Sequence, residues 1–172
     1  MSKERRNRGK QFRVSHERLT RGRRRETWLM TTSNLKTVVQ PYLFFGGRCE
    51  EALEFYREML GAEVQMLMRF QDSPEPSGLP DCFNDKIMHA TVRVGATTFM
   101  ASDGRCDGPP TFEGFSLSLT VPNEGEAERA FAALSKDGSV VMPLEKTFST
   151  SKFGMLEDRF GVNWMVSVEH KT

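Results

Sequence analysis

Residues 40–61 read QPYLFFGGRCEEALEFYREMLG, an apolar run that turns through Gly46-Gly47 directly into an amphipathic helix. Cys49, Ala52, Leu53, Tyr56, Met59 and Leu60 recur at steps of three and four and so share one face. Glu50, Glu51, Glu54, Arg57 and Glu58 take the other. Gly61 follows the last periodic residue and predicts the helix stop. A strand feeding a helix that buries one side is the first half of a βα unit, and the flanking chain continues it.

From Ala62 to Phe70, Val64, Met66, Met68 and Phe70 alternate with Glu63, Gln65 and Arg69, the pattern of a half-buried strand. Residues 71–85, QDSPEPSGLPDCFND, hold three prolines and a glycine, which predicts an irregular excursion able to flap over a site. Lys86–Val94 and Thr97–Ser102 follow as strands joined by Gly95-Ala96, a glycine-first pair suited to a type II′ turn. The stretch DGRCDGPP at 103–110 separates the chain into halves.

Beyond it the opening recurs. A strand spans 114–121. Asn123 with Glu126 reads as a capping box, Ala127, Ala130, Phe131 and Leu134 share a helix face, and Gly138 is the expected stop. Strands are expected at 139–142, 147–156 and 162–168, with Asp158-Arg159-Phe160-Gly161 as a tight turn. Adding 78 to Ala52, Leu53 and Tyr56 gives Ala130, Phe131 and Leu134, so the two halves are an internal repeat. The expected class is α+β: two tandem βαβββ modules, at about 38–102 and 113–168, forming an eight-stranded cup-shaped sheet around a common cleft.

Charge divides the chain differently. Residues 1–30 hold eleven Lys or Arg against three Glu, which is +8; the remaining 13 basic and 20 acidic residues give −7. Residues 1–34 therefore read as a basic, disordered arm and 35–172 as a single domain. The arm could contact nucleic acid or anionic lipid by counterion release. The alternatives are a solvated tail or translation from Met30, since TTSNLKTVVQPYL is a natural start for the folded part. Cys49, Cys82 and Cys106 are odd in number and form no CxxC pair, which points to a reducing compartment. No apolar run approaches 18 residues and no apolar stretch follows the basic region, so a cytoplasmic protein without membrane contact is expected.

The motifs PYLFFGG at 41–47, EALEFYREMLGAE at 51–63, IMHATVRVG at 87–95 with MASD at 100–103, GFSLSLTV at 114–121 and FGMLEDRFGVNWMVSV at 153–168, in that order, resemble one family. It is the vicinal oxygen chelate superfamily, and within it the PhnB-like branch of glyoxalase and bleomycin-resistance-related proteins. The resemblance covers Val38–Val168 and implies a cup-shaped site between the modules. In metal-dependent members it also implies four His, Gln or Glu ligands on the first and last strands of each module. Here those positions carry Gln40, Met100, Ser116 and Met165, and two thioethers, a hydroxyl and an amide suit no divalent first-row ion. No metal and no cofactor is expected. The resemblance also brings a methyltransferase label, that of 3-demethylubiquinone methyltransferase. Nothing in the chain resembles the glycine-rich loop after a first parallel strand that holds a nucleotide-like cofactor, so that activity is not expected.

His89 is the remaining candidate for acid–base chemistry, on a strand where His89, Thr91 and Arg93 alternate with Met88, Ala90, Val92 and Val94. The competing reading is a structural histidine bonded to Asp103 or a carbonyl. Expected ligand-binding residues are Gln40, Tyr42, His89, Arg93, Asp103, Ser116, Ser118, Phe148 and Phe153, while Trp164 and Cys49 are read as core. The first function expected is metal-free binding of a small molecule in the cleft, by a homodimer whose sheet edges need cover. An enzyme using His89 is the alternative, and a nucleic-acid contact through residues 1–30 the third.

Overall fold

In the computed structural model, which describes residues 37–74, 83–104 and 108–169, each half of the domain folds on the same plan. The first contains β1 (Tyr42–Phe44), α1 (Cys49–Leu60), β2 (Glu63–Arg69), β3 (Ile87–Val94) and β4 (Thr97–Ser102). The second contains β5 (Leu117–Val121), α2 (Glu124–Leu134), β6 (Ser139–Glu145), β7 (Phe153–Glu157) and β8 (Asn163–Val168). The strands form two four-stranded sheets, β1-β4-β3-β2 and β5-β8-β7-β6. In each, the first strand pairs parallel with the last because the helix carries the chain to the far edge, from which it meanders back. The eight strands and two helices are those the repeat predicted. The basic arm, most of the proline-rich excursion, Cys82, Cys106 and His170 lie outside the described residues.

Gly61 ends α1 as expected, in the left-handed conformation at φ 64°. The N-terminus of α1 is capped from a distance. Asp103, just past β4, accepts the Cys49 N–H at 2.7 Å and the Ile87 N–H at 2.8 Å, bracing helix and strand with one carboxylate. At 2% exposure Asp103 serves the framework, which corrects its expected place in a ligand-binding wall. Asn123 caps α2 by accepting from the Glu126 N–H at 2.9 Å, as predicted.

Three expectations are corrected. α2 closes at Leu134, with Ser135 as its cap, and the residue that turns left-handed is Asp137 at φ 59°, not Gly138. Residues 147–152 are not strand: Thr147 Oγ1 accepts from the amides of Ser149 and Thr150 and folds them into a turn, leaving Phe148 fully exposed. β6 runs on through Pro143 to Glu145, tolerable because it is an edge strand whose pairing is already irregular there.

One core joins the modules. Tyr56 of α1 meets Trp164 of β8 at 5.7 Å, Phe55 meets Phe160 at 5.6 Å, and Phe45 meets Phe112 at 5.6 Å. At its centre lies Asp158, 2% exposed, which accepts four hydrogen bonds: from Tyr56 Oη at 2.7 Å, Trp164 Nε1 at 2.9 Å, and the backbone amides of Phe160 and Val162 at 2.9 and 3.0 Å. The carboxylate replaces its water shell with donors from α1, the β7–β8 turn and β8.

Burial raises the pKa of the Cys49 thiol, with the Asp103 charge as a second cause, and burial also lifts the Tyr56 phenol well above its ordinary range. Both groups stay protonated in the folded chain where the unfolded chain ionises. Their contribution is therefore intact below the unfolded pKa values and is lost as pH rises above about 9 for the thiol and 10 for the phenol. Urea unfolding should show stability falling from about pH 9 upward, by as much as ~1.4 kcal/mol per pH unit for each group. Cys49→Ala should flatten the segment between about pH 9 and 10; identical slopes in the two proteins would contradict this.

Candidate functional site

The helix-side faces of the central strands are committed to the core, and the opposite face of each sheet is open. On the first sheet the strand register sets that face in rows. Tyr42 lies beside Met100, Met100 opposite Thr91, and Thr91 opposite Met66; in the next row Phe44 lies beside Ser102 and His89 opposite Met68. At the far end Gln40 Nε2 donates to the Thr98 carbonyl at 3.3 Å, and Arg93 pairs with Glu63 and donates to the Gly95 carbonyl at 2.9 Å.

Tyr42 Oη and His89 Nδ1 are 2.9 Å apart, and His89 Nε2 lies 3.3 Å from Thr91 Oγ1. Partial burial holds the Tyr42 phenol above its ordinary pKa, so at neutral pH it keeps its proton. The Tyr42–His89–Thr91 chain can run in either direction, so the pair can offer a ligand either a donor or an acceptor. The Phe44 ring stacks on Tyr42, centroids 4.9 Å apart at 16°. Gly104, at φ 62°, leaves room for it: a Cβ there would stand 3.2 Å from Phe44 Cδ1. Tyr42, Phe44 and Met66 are 37%, 54% and 46% exposed, an apolar surface around one polar pair.

The second sheet has its own open face. Ser118 pairs with Met165, Met165 with Met155, and Met155 with Met142; Phe153 lies opposite Ser167 one row on. Ser116 immediately precedes β5. The predicted site residues thus separate. Gln40, Tyr42, His89 and Arg93 share the first open face, Ser116, Ser118 and Phe153 belong to the second module, and Phe148 projects from its β6–β7 loop. His89 is hydrogen-bonded across the sheet to Tyr42.

The donor set does not fit a divalent metal. Gln40 is tied to a backbone carbonyl, the other three positions offer thioethers and a hydroxyl, and no group of three His, Cys, Asp or Glu side chains able to hold a metal occurs among the described residues. Nor does the glycine turn before α1 form an anion cradle. The Cys49 amide at the helix start is taken by Asp103, and a Cβ on Gly46 would lie 2.6 Å from the Gly108 carbonyl, so that glycine serves chain packing. Sequence reading named Tyr42 and His89 among the ligand-binding residues but missed their bond and the stacking of Phe44. The period-two alternation in PYLFF was the available signal.

Two βαβββ modules with open sheet faces define a glyoxalase/bleomycin-resistance type of fold. The crystal structure of a glyoxylase/bleomycin resistance protein/dioxygenase domain from Frankia sp. EAN1pec shares it, with a TM-score of 0.54 at 14% identity, covering 80% of this chain and 94% of that one. Residues 37–167 match the family model described as 3-demethylubiquinone-9 3-methyltransferase, and the chain belongs to that family, which includes the PhnB proteins. It is 37% identical over 141 residues to Protein YjdN of Escherichia coli (strain K12), covering 76% of this chain and 94% of YjdN. Protein PA1353 from Pseudomonas aeruginosa superimposes with a TM-score of 0.69 at 45% identity, covering 78% of this chain and 99% of that one. A putative 3-demethylubiquinone-9 3-methyltransferase, PhnB protein, from Bacillus cereus gives 0.65 at 27% identity, over 77% and 100%. Among the described residues no helix is long and apolar enough to cross a membrane.

Proposed function

We propose that this chain is a small-molecule-binding protein, with its ligand held on the open face of the first sheet and Tyr42 and His89 as the polar anchor. The observation that carries this reading is the Tyr42–His89 pair set within an exposed apolar face. A second copy of the chain completes the site. Both open faces leave large apolar side chains in water, with Met142 on β6 at 44% exposure on one and Tyr42, Phe44 and Met66 of β1 and β2 on the other. Two copies related by a twofold axis can lay the second-sheet face of one over the first-sheet face of the other, twice, bringing Ser118 and Phe153 toward Tyr42 and His89. Methyl transfer, which the family description names, draws no support from this site: the α1 terminus is already occupied by Asp103.

Native mass spectrometry of the full chain purified from its own host tests the reading. The expected result is a dimer carrying a small molecule that is released on denaturation and is absent from Tyr42→Ala. A monomer, or a dimer without bound mass, would overturn it. A second reading, acid–base catalysis by His89, draws on the same hydrogen bond. It predicts that the released molecule is altered on incubation with the wild-type protein and unaltered with His89→Gln.

A further inference from the structure

The chemistry of the first open face restricts what can lie on it. Phe44 and Tyr42 form a near-parallel pair of rings on alternate residues of β1, both accessible, and Gly104 fixes where the Phe44 ring lies. Such a stacked pair gains most from a further flat ring laid on its open face or against its edge. Met100 lies beside Tyr42, and Met66 and Met68 stand across the face on β2, beyond Thr91 and His89; their thioethers make favourable contacts to ring edges and adapt to the outline of a ligand. The polar groups are few. Beside the rings Tyr42 and His89 supply one hydrogen-bonding position, since Thr91 is bonded to His89 and Gln40 and Arg93 lie at the far end, tied to backbone carbonyls. This suits a sugar or peptide, with its many polar groups, poorly. Charge is also mismatched to an anion. Arg93, the cation of this face, is already held by Glu63 and the Gly95 carbonyl, while Lys86, which precedes β3, donates to the Gly47 carbonyl at 2.8 Å.

We infer that the ligand class of this site is an uncharged planar aromatic molecule, its ring packed against the Tyr42–Phe44 stack and a single hydroxyl or carbonyl at its edge meeting the Tyr42–His89 pair. The inference rests on the small-molecule reading above and adds the ligand's chemistry to it. The sign of the hydrogen bond is left to the ligand, because Tyr42 and His89 can present either a donor or an acceptor.

Three probes separate the elements of this claim on the full-length protein, read by the aromatic proton–carbon resonances of Phe44, Tyr42 and His89. 2-Naphthol is planar, neutral and carries one edge hydroxyl; 2-naphthoate adds a negative charge; decahydro-2-naphthol keeps the hydroxyl and loses the flat ring. Saturable shifts are expected with 2-naphthol, and binding of the other two should be weaker by about tenfold or more. Phe44→Leu, a change on an exposed side chain, should weaken 2-naphthol about tenfold with an unchanged melting temperature. Tyr42→Phe, which keeps the ring and removes the hydroxyl, should weaken it by roughly three- to tenfold. Absence of saturable shifts with 2-naphthol overturns the inference, as does equal binding of either other probe or indifference to Phe44→Leu. A co-purified molecule that proves aliphatic or charged sinks the aromatic class while leaving the small-molecule site standing.

Discussion

Replacing Asp158 by alanine should lower the melting temperature by roughly 15 °C, corresponding to about 4 kcal/mol in a domain of this size. The carboxylate accepts from the Tyr56 hydroxyl, the Trp164 indole and the amides of Phe160 and Val162. None of these donors can turn to water once it is gone, because Tyr56 is fully buried and Trp164 and Phe160 are 4% exposed. Each stranded donor costs about 1–3 kcal/mol, and partial collapse of the site keeps the total below their sum. Asp158→Asn should fall between, since one amide oxygen still accepts from the turn while the amide NH₂ confronts the Trp164 N–H. Because Tyr56 belongs to the first module and Trp164 to the second, the alanine variant should also loosen the junction, seen as faster hydrogen exchange in both α1 and β8. A melting temperature within about 3 °C of wild type would show that the site takes up water and that the network carries little stability.

The second large effect is expected at Gly138, where alanine should cost about 3 kcal/mol, or roughly 10 °C. A Cβ there would stand 2.3 Å from the Glu157 carbonyl and 3.0 Å from Asp158 Cα. Both are backbone atoms. No side chain can swing away, so either β6 leaves β7 at their Ser139–Glu157 pairing or the turn holding Asp158 shifts. Circular dichroism should show the fold retained and the melt shifted; a shift under about 2 °C would mean that the strand end yields freely.

Gly138 also shows where sequence reading succeeds and where it stops. A glycine after a helix has two physical uses, a left-handed turn and a close backbone approach, and the one-dimensional pattern cannot tell them apart. At Gly61 the first use holds; at position 138 the second does, and Asp137 makes the turn, with its side chain paired to Arg159. The repeat itself was legible because it is written in local periodicities, period two in the strands and three to four in the helices. Asp103 and Asp158 were not. A charged residue in or before a glycine-containing turn reads as solvated, and only the tertiary fold brings the Cys49 amide or the Tyr56 hydroxyl to meet it, across 54 and 102 residues. Phe148 failed for a related reason: an apolar side chain among Thr and Ser looks like strand alternation, while the Thr147 hydroxyl offers the backbone a turn instead. The open face lies between these extremes. Alternation set His89, Thr91 and Arg93 on one side of their strand, whereas their partners depended on register between strands distant in sequence.

The most direct test of a ligand site closed by a second copy is peroxide footprinting of Met66 and Met142 in the full-length protein. These side chains are 46% and 44% exposed in the single chain, one on each open face. If the faces cover one another in a dimer, both methionines should oxidise about tenfold or more slowly than in the urea-unfolded protein, and Phe44→Glu, which sets a charge within the contact, should restore the fast rate. Oxidation of the wild-type protein within roughly threefold of the unfolded rate at both positions would show the faces bare to water, and would contradict the account.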